Sequence, residues 1–212
     1  MEIVWLGHSC FQLKGKDITI ITDPFDCGSG YTMGKVSADV VTVSHHAPDH
    51  SNVEAVGGNP NIVDGPGEYE IRGVFITGVA TRRDKVKASQ GERNTAYLIE
   101  MDGLTVCHLG DLGHILTPEQ VEQMNDADVL LIPTGGNNTI NASQAAEVVS
   151  QIEPRIVVPM HFKTEVTTLQ LDPISKFLKE MGVAEVNPLP KLTVQKGSLP
   201  EETSVVVLDY RH

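Results

Sequence analysis

The segment His45-His46-Ala47-Pro48-Asp49-His50 sets the tightest constraint on what this chain can become. It follows the run from Asp39 to Ser44, which reads as a buried β-strand, and it places three imidazoles and a carboxylate within six residues. Packing does not require that density of ligating groups. Imidazole nitrogen and carboxylate oxygen are the donors preferred by a borderline divalent cation such as Zn²⁺, so the segment reads as part of a metal site, with a solvated His-rich loop as the plain alternative. A strand end is a rigid platform, and the loop after it can turn several side chains toward one point.

Two further strands end in the same way. Leu104 to Cys107 leads to His108-Leu109-Gly110-Asp111, and Arg155 to Val158 leads to Pro159-Met160-His161. Taken singly, Asp111 could be a turn carboxylate and His161 a satisfied core histidine; taken with the first cluster they complete a ligand set. Asp23, after Ile18 to Thr22, holds a fourth such position, where a carboxylate can orient a neighbouring imidazole from behind.

The rest of the chain changes character midway. Met1 to Leu6, Cys10 to Leu13 and Ile18 to Thr22 read as antiparallel strands around a turn at Lys14-Gly15-Lys16-Asp17. Tyr69 to Thr77 reads as a pair around Gly73, and Asn94 to Leu109 as a hairpin turning at Asp102-Gly103. Strand and helix then alternate. Thr117-Pro118 opens a helix, Asp128 to Ile132 is a strand, Asn141 or Ser143 opens a helix through Ile152, and Arg155 to Met160 is a strand. Asp172-Pro173 caps a helix to Met181, and Ser204 to Leu208 is a last strand. Hairpins followed by a β/α tail predict an α+β fold, two mixed sheets packed face to face with helices outside, in a single domain over residues 1–212. Residues 28–34 and 85–93 are the expected mobile loops, and Gly135-Gly136 with Asn137 to Thr139 falls at the same sheet edge, in the wall of the site.

Composition excludes several function classes. No stretch approaches the roughly 18 consecutive apolar residues of a membrane span, and the first residues run straight into a strand with no targeting pattern, so a cytoplasmic protein without a membrane partner is expected. A net charge of −12 argues against nucleic acid as a partner and leaves a small-molecule substrate. Cys10, Cys27 and Cys107 are too scattered for a disulfide framework and read as small core or near-site residues.

These motifs carry a family resemblance. Thr22-Asp23-Pro24, Ser44-His45-His46-Ala47-Pro48-Asp49-His50, Leu109-Gly110-Asp111 and Pro159-Met160-His161 resemble, in order, the motifs of the metallo-β-lactamase superfamily. Gly7-His8-Ser9-Cys10-Phe11, Gly65-Pro66-Gly67-Glu68-Tyr69-Glu70 and His108-Leu109-Gly110-Asp111-Leu112-Gly113-His114 are similar to the branch that includes ascorbate-6-phosphate lactonases and other metal-dependent hydrolases. The likeness runs from residue 1 to about residue 170.

The resemblance implies an αββα sandwich with one or two metals at the sheet edges. The family's His-x-His-x-Asp-His falls on His45, Ala47, Asp49 and His50, so its second histidine is missing; His46 takes the intervening position and should point away. A further family histidine, after the strand around Phe75 to Val79, is replaced by Arg83. By resemblance the first metal keeps only His45, whereas the second keeps Asp49, His50 and His161 with Asp111 bridging. The expectation is one divalent ion per chain, Zn²⁺ first, with Mn or Fe as alternatives. Asp49 and Asp111 are the expected catalytic groups; His8, Glu68 and Arg83 are expected to face substrate, with a buried, hydrogen-bonded histidine as the alternative for His8, whose family position lies near the metals, and a plain strand-start residue as the alternative for Glu68. Arg83 carries a permanent charge and could stand in for the absent cation or pair with Asp111, while a surface arginine in a loop is the bland alternative. The function expected is hydrolysis of a small anionic ester, lactone or phosphoester, against the alternative of a non-catalytic metal-binding or ligand-sensing relative.

Overall fold

The computed structural model describes residues 1–83, 92–184 and 186–210. The first half is all strand: β1 (Glu2–Gly7), β2 (Cys10–Lys14), β3 (Thr19–Thr22), β4 (Val36–Ser37), β5 (Val40–Thr42), β6 (Val56–Gly57), β7 (Asn61–Val63), β8 (Gly67–Ile71), β9 (Val74–Arg82), β10 (Arg93–Met101) and β11 (Leu104–His108). The second half alternates: α1 (Pro118–Met124), β12 (Val129–Pro133), α2 (Ala142–Ile152), β13 (Ile156–Met160), α3 (Ile174–Glu180), β14 (Leu192–Thr193) and β15 (Ser204–Val205). They form a six-stranded sheet in the order β14-β1-β2-β3-β5-β7 and a seven-stranded sheet in the order β15-β13-β12-β11-β10-β9-β8, with β4 and β6 as a separate small pair.

Period-two alternation builds the core. In the first sheet Trp5, Phe11, Leu13, Ile20 and Val40 face inward, and in the second Ile76, Tyr97, Ile99, Val106, Leu131 and Val158 meet them in one buried cluster. The residues between them serve the outer faces. On the seven-stranded sheet Ala96, Leu98, Cys107, Leu130 and Val157 pack beneath α1, α2 and α3. The starts of α1 and α2 follow capping rules: Thr117 and Asn141 each accept from the backbone N–H three residues on, and Gln120 and Gln144 return the bond.

The outer face of the six-stranded sheet has its own buried cluster. Val4, Leu6, Ile21 and Val41 are covered by Phe25, Tyr31, Met33 and Val56, from loops and the short β6, and no α-helix among the described residues lies in that cluster. The expected mobile loop 28–34 is part of this cover: Tyr31 is buried, and its hydroxyl lies 2.7 Å from Thr164 Oγ1. Of the other expected loop, residues 85–91 lie outside the described residues, and Arg93 already pairs with Arg82 across β9 and β10. The last strand ends at Val205 because only Ser204 and Val205 find ladder partners on β13. Cys27 is exposed on a short 3₁₀ turn rather than in the core, unlike Cys10 and Cys107. No described helix is long and apolar enough to cross a membrane.

The topology explains where chemistry can sit. β3, β5 and β7 run parallel, and β1, two antiparallel steps from β3, shares their direction. In the second sheet β11, β12 and β13 run parallel, and β9 shares their direction through β10. His8, Asp23, His45, Arg83, Asp111 and His161 each follow the C-terminal end of one of these strands. Side chains from two sheets therefore meet at one edge.

One bond pins that edge. The Tyr97 hydroxyl, buried between the sheets, donates to the carbonyls of Val43 (2.8 Å) and Val63 (3.1 Å) in a shared arrangement. Tyr97→Phe removes the donor from a dry site and is expected to cost about 1–3 kcal/mol, read by urea denaturation at unchanged slope. An unchanged midpoint would mean that the pin carries no stability.

Candidate metal centre

Three of the strand-end residues are held in the left-handed region: His8 at φ +52°, Asp23 at +39° and His161 at +50°. Non-glycine residues occupy that region sparingly, and the surrounding packing enforces it here. The reversal after each strand turns the side chain back over the sheet edge. Gly110, at φ +55°, does the same for Asp111; a Cβ there would lie 2.5 Å from both Asn94 Oδ1 and the Ser44 Cβ.

The result is a buried cluster of imidazoles around one carboxylate. His50 Nε2 lies 3.2 Å from His8 Nε2 and 3.1 Å from Asp111 Oδ1, and His161 Nε2 lies 3.5 Å from the same oxygen. Nitrogens of His8, His50 and His161 all fall within 4.8 Å of one another, as do ligand atoms of His45, His50 and Asp111. His8, His50, Asp111 and His161 are all buried. Burial pushes the His161 imidazole down to about 4 and moves His50 well below its ordinary value, so both are neutral with a lone pair to offer. Among the described residues no donor meets Asp111 Oδ1 in hydrogen-bonding geometry, although His50 and His161 nitrogens lie beside it.

A divalent cation fits this set. Ligands about 2.0–2.1 Å from a tetrahedral ion are spaced about 3.3 Å apart, close to the separations His8–His50 (3.2 Å), His50–Asp111 (3.1 Å) and His161–Asp111 (3.5 Å), while the candidate ligand atoms fall into two trios that share His50. A buried carboxylate oxygen surrounded by neutral nitrogens is poorly satisfied by the protein alone, and a cation supplies what is missing.

The other carboxyl oxygen of Asp111 is already occupied. Arg83, mostly buried, donates from Nη2 to Asp111 Oδ2 at 3.2 Å and from Nη1 to Glu92 at 2.8 Å. His45 Nε2 lies 3.9 Å from that same oxygen. The arginine is thus in the centre, beside His45, and not a surface arginine. Burial, then the Arg83 charge, lowers the His45 imidazole to about 3.

Residues behind the cluster fix its orientation. Asp23 accepts from the Ser44 backbone N–H at 2.7 Å and from the Ser44 hydroxyl at 2.6 Å, and Ser44 Oγ lies 3.0 Å from His45 Nδ1. With the hydroxyl hydrogen committed to Asp23, Ser44 accepts from His45 Nδ1–H, leaving the lone pair of His45 on Nε2. Burial raises the Asp23 carboxyl above its ordinary range, against the pull of the two Ser44 bonds. Asn94 holds Asp111: its Oδ1 accepts from the Asp111 N–H at 2.9 Å, while its amide donates to Thr81 and to the Leu109 carbonyl. Asn94 was not singled out from the sequence, where it reads as an ordinary strand residue.

The remaining expected residues divide. Asp49 meets the cluster through His8, whose Nε2 lies 3.4 Å from Asp49 Oδ2; that bond is the main cause of its carboxyl lying at about 2. His8 was expected to face substrate, but it is fully buried against His50 and His161, so it lies among the possible ligands. Glu68 is not brought to the centre: it is exposed on β8, whose edge position leaves it in solvent. His46 is also exposed, 3.7 Å from Asp64. Of the expected wall, Gly135 packs so closely on the His161 carbonyl that a Cβ would lie 2.2 Å from it.

Known proteins share this sequence and shape. The chain matches the profile of the Beta-lactamase superfamily domain over residues 2–161. A UPF0173 protein of Pyrococcus furiosus is 34% identical over 184 residues, covering 77% of this chain and 84% of that protein. A UPF0173 metal-dependent hydrolase of Pelotomaculum thermopropionicum is 31% identical over 196 residues, covering 77% and 85%. A crystal structure from Thermotoga maritima, of a candidate Zn-dependent hydrolase of the metallo-β-lactamase superfamily, superposes with a TM-score of 0.82 at 38% identity over 99% of each chain.

The neutral imidazoles predict a pH dependence. His45, His161 and the core His108 lie at about 3, 4 and 4 in the fold against an ordinary 6.5, so below 6.5 the unfolded chain binds protons that the folded one does not. Stability of the chelated protein is therefore expected to be full above pH 6.5 and to fall steadily toward pH 4. Urea midpoints that stay flat across that window would show that these groups protonate within the fold.

Proposed function

The chain belongs to the metallo-β-lactamase superfamily, among its metal-dependent hydrolases, and on that premise we propose that it works with a single divalent ion. The ion would be held by His8, His50, His161 and Asp111, with Zn²⁺ the best match to three nitrogens and an oxygen. The observation that carries this reading is the division of Asp111. One oxygen faces the imidazoles with no hydrogen-bond donor among the described residues, and the other is bound by Arg83. A guanidinium thus takes the side of the centre where relatives with the full histidine motif would place a second cation.

When bound, the ion supplies a Lewis acid and lowers the ionisation of water to about pH 7. The protein's own groups do the rest. Asp49, part-exposed and ionised at neutral pH, would orient an attacking water through its carboxylate. Arg83 adds a fixed positive charge that cannot be titrated away, next to where negative charge develops on a substrate. Asp23 and Asn94 hold His45 and Asp111 in place. The substrate is a small anionic ester, lactone or phosphoester, and Asp111 acts as a ligand rather than as a base.

Elemental analysis is expected to give close to one divalent ion per chain, and chelation should abolish ester or phosphodiester hydrolysis until the metal is restored. Two equivalents would reject the single-ion reading, and a fully loaded protein inert against a broad ester, lactone and phosphodiester panel would favour a metal-binding or sensing role. His161→Ala should weaken metal binding by more than a hundredfold while His46→Ala leaves it unchanged; equal losses would show that His46 is a ligand.

A further inference from the structure

A cleft of about 740 Å³ opens beside His45, lined by Gly65 and Pro66, by His114 and Gln120, and by Ala80 and Arg82 of β9. Its build follows from a mismatch of strand lengths. β8 pairs with β9 only against Val74 to Gly78, whereas β9 continues to Arg82. Beyond Gly78 the edge of β9 therefore carries backbone groups that β8 does not answer, and these need partners from elsewhere. The segment after Asp111 supplies them. Gln120 Nε2 donates to the Ala80 carbonyl at 2.8 Å, the Gly113 N–H donates to the Arg82 carbonyl at 2.8 Å, and the Arg82 N–H donates to His114 Nε2 at 3.3 Å.

These bonds close a circuit. Leu112 is fully buried and its carbonyl accepts from the Ile140 N–H at 2.8 Å, so the segment is fixed where it leaves Asp111. Gly113 and His114 then grip Arg82, and the next residue, Arg83, reaches back to Asp111 Oδ2 at 3.2 Å. His114 suits the grip in one tautomer. Its Nδ1 lies 2.8 Å from the Ile115 carbonyl, which can only accept, so Nδ1 carries the hydrogen and Nε2 presents its lone pair to the Arg82 N–H. Arg83 needs such a grip because its guanidinium has a choice of partners. Nη1 pairs at 2.8 Å with Glu92, which is exposed, and Nε has no hydrogen-bond partner among the described residues. A long side chain whose backbone drifted outward would keep Glu92 in solvent and lose the buried carboxylate.

We propose that His114 is a positioning residue for Arg83: by holding the Arg82 N–H it sets the end of β9 at the distance from which the guanidinium meets Asp111. Arg83 is the group that acts, and His114 decides where it stands. The consequence for turnover rests on the hydrolase reading, whereas the position of the guanidinium is measurable in a protein that turns over nothing.

Nitrogen NMR of the zinc-loaded full chain tests it. A guanidinium held by its partners rotates slowly and gives separate Nη signals, a released one gives an averaged signal, and the signals of Arg83 are those lost in Arg83→Lys. His114→Ala should average them, while His114→Gln, which offers an amide oxygen to the Arg82 N–H, should keep them separate. Gln120→Ala, which removes a bond from the same edge at Ala80, should keep them separate too. Urea midpoints establish that each variant is folded; should His114→Ala not fold, His114→Phe, which keeps a ring and removes both nitrogens, is read in its place. With bis-p-nitrophenyl phosphate as the probe, kcat should fall about tenfold in His114→Ala at unchanged KM, the loss of a charge-assisted contact made in the transition state, and recover in His114→Gln. Averaged Arg83 signals in the wild type, or separate ones in folded His114→Ala, would overturn the proposal. Averaging in Gln120→Ala or His114→Gln would overturn it as well, showing that the whole edge loosens rather than that one acceptor is lost. Averaging confined to His114→Ala in a protein inert toward the probe sustains the positioning while the hydrolase reading fails. A kcat unchanged in His114→Ala despite averaged signals overturns the link to turnover while the hydrolase stands.

Discussion

The centre depends on one buried negative charge. Asp111 is almost wholly removed from water, and a carboxylate in that position is costly unless every side of it is answered. Its backbone is held by Asn94, one oxygen by Arg83, and the other is left facing imidazole nitrogens. The neutral histidines, the cation they suit and the arginine beside them are all responses to that single group. Removing Arg83 or the ion would leave a buried charge half answered, which is why the two halves of the centre, chemically unlike, cannot be considered apart.

Geometry makes the response possible. Strands that share a direction in two different sheets end at one edge, and left-handed residues at His8, Asp23 and His161 fold the chain back over it. The Thermotoga maritima structure follows the same scaffold over nearly the whole chain.

Much of this was legible in the residues. Apolar runs ending in His45, Asp111 and His161 announced both the strands and their shared purpose, because nothing in core packing calls for a ligand at three strand ends. The hairpin turns and the Thr117 helix start were legible for local reasons, being written within a few residues. What depended on distant contacts was not. Sequence left His8 open between a cleft and a buried role because it says nothing of the rings that bury it, and Glu68 entered the expected site through the motif Gly65-Pro66-Gly67-Glu68, of which Gly65 and Pro66 do line the cleft. Asn94 was invisible, since a strand asparagine gains its meaning only from a partner seventeen positions away.

The strand directions also give the molecule a far end. There the turns at Gly15 and at Asp102-Gly103, one from each sheet, are tied together: the Asp102 carboxylate accepts from the Lys16 backbone N–H at 3.2 Å. None of the metal-centre residues lies among these turns, and the sandwich core stands between the two ends. The protein is therefore polar in the engineering sense, with a reactive rim and an inert base. A label, tether or inserted peptide placed at the base would leave the metal centre facing outward and unobstructed, so the fold comes with its own handle.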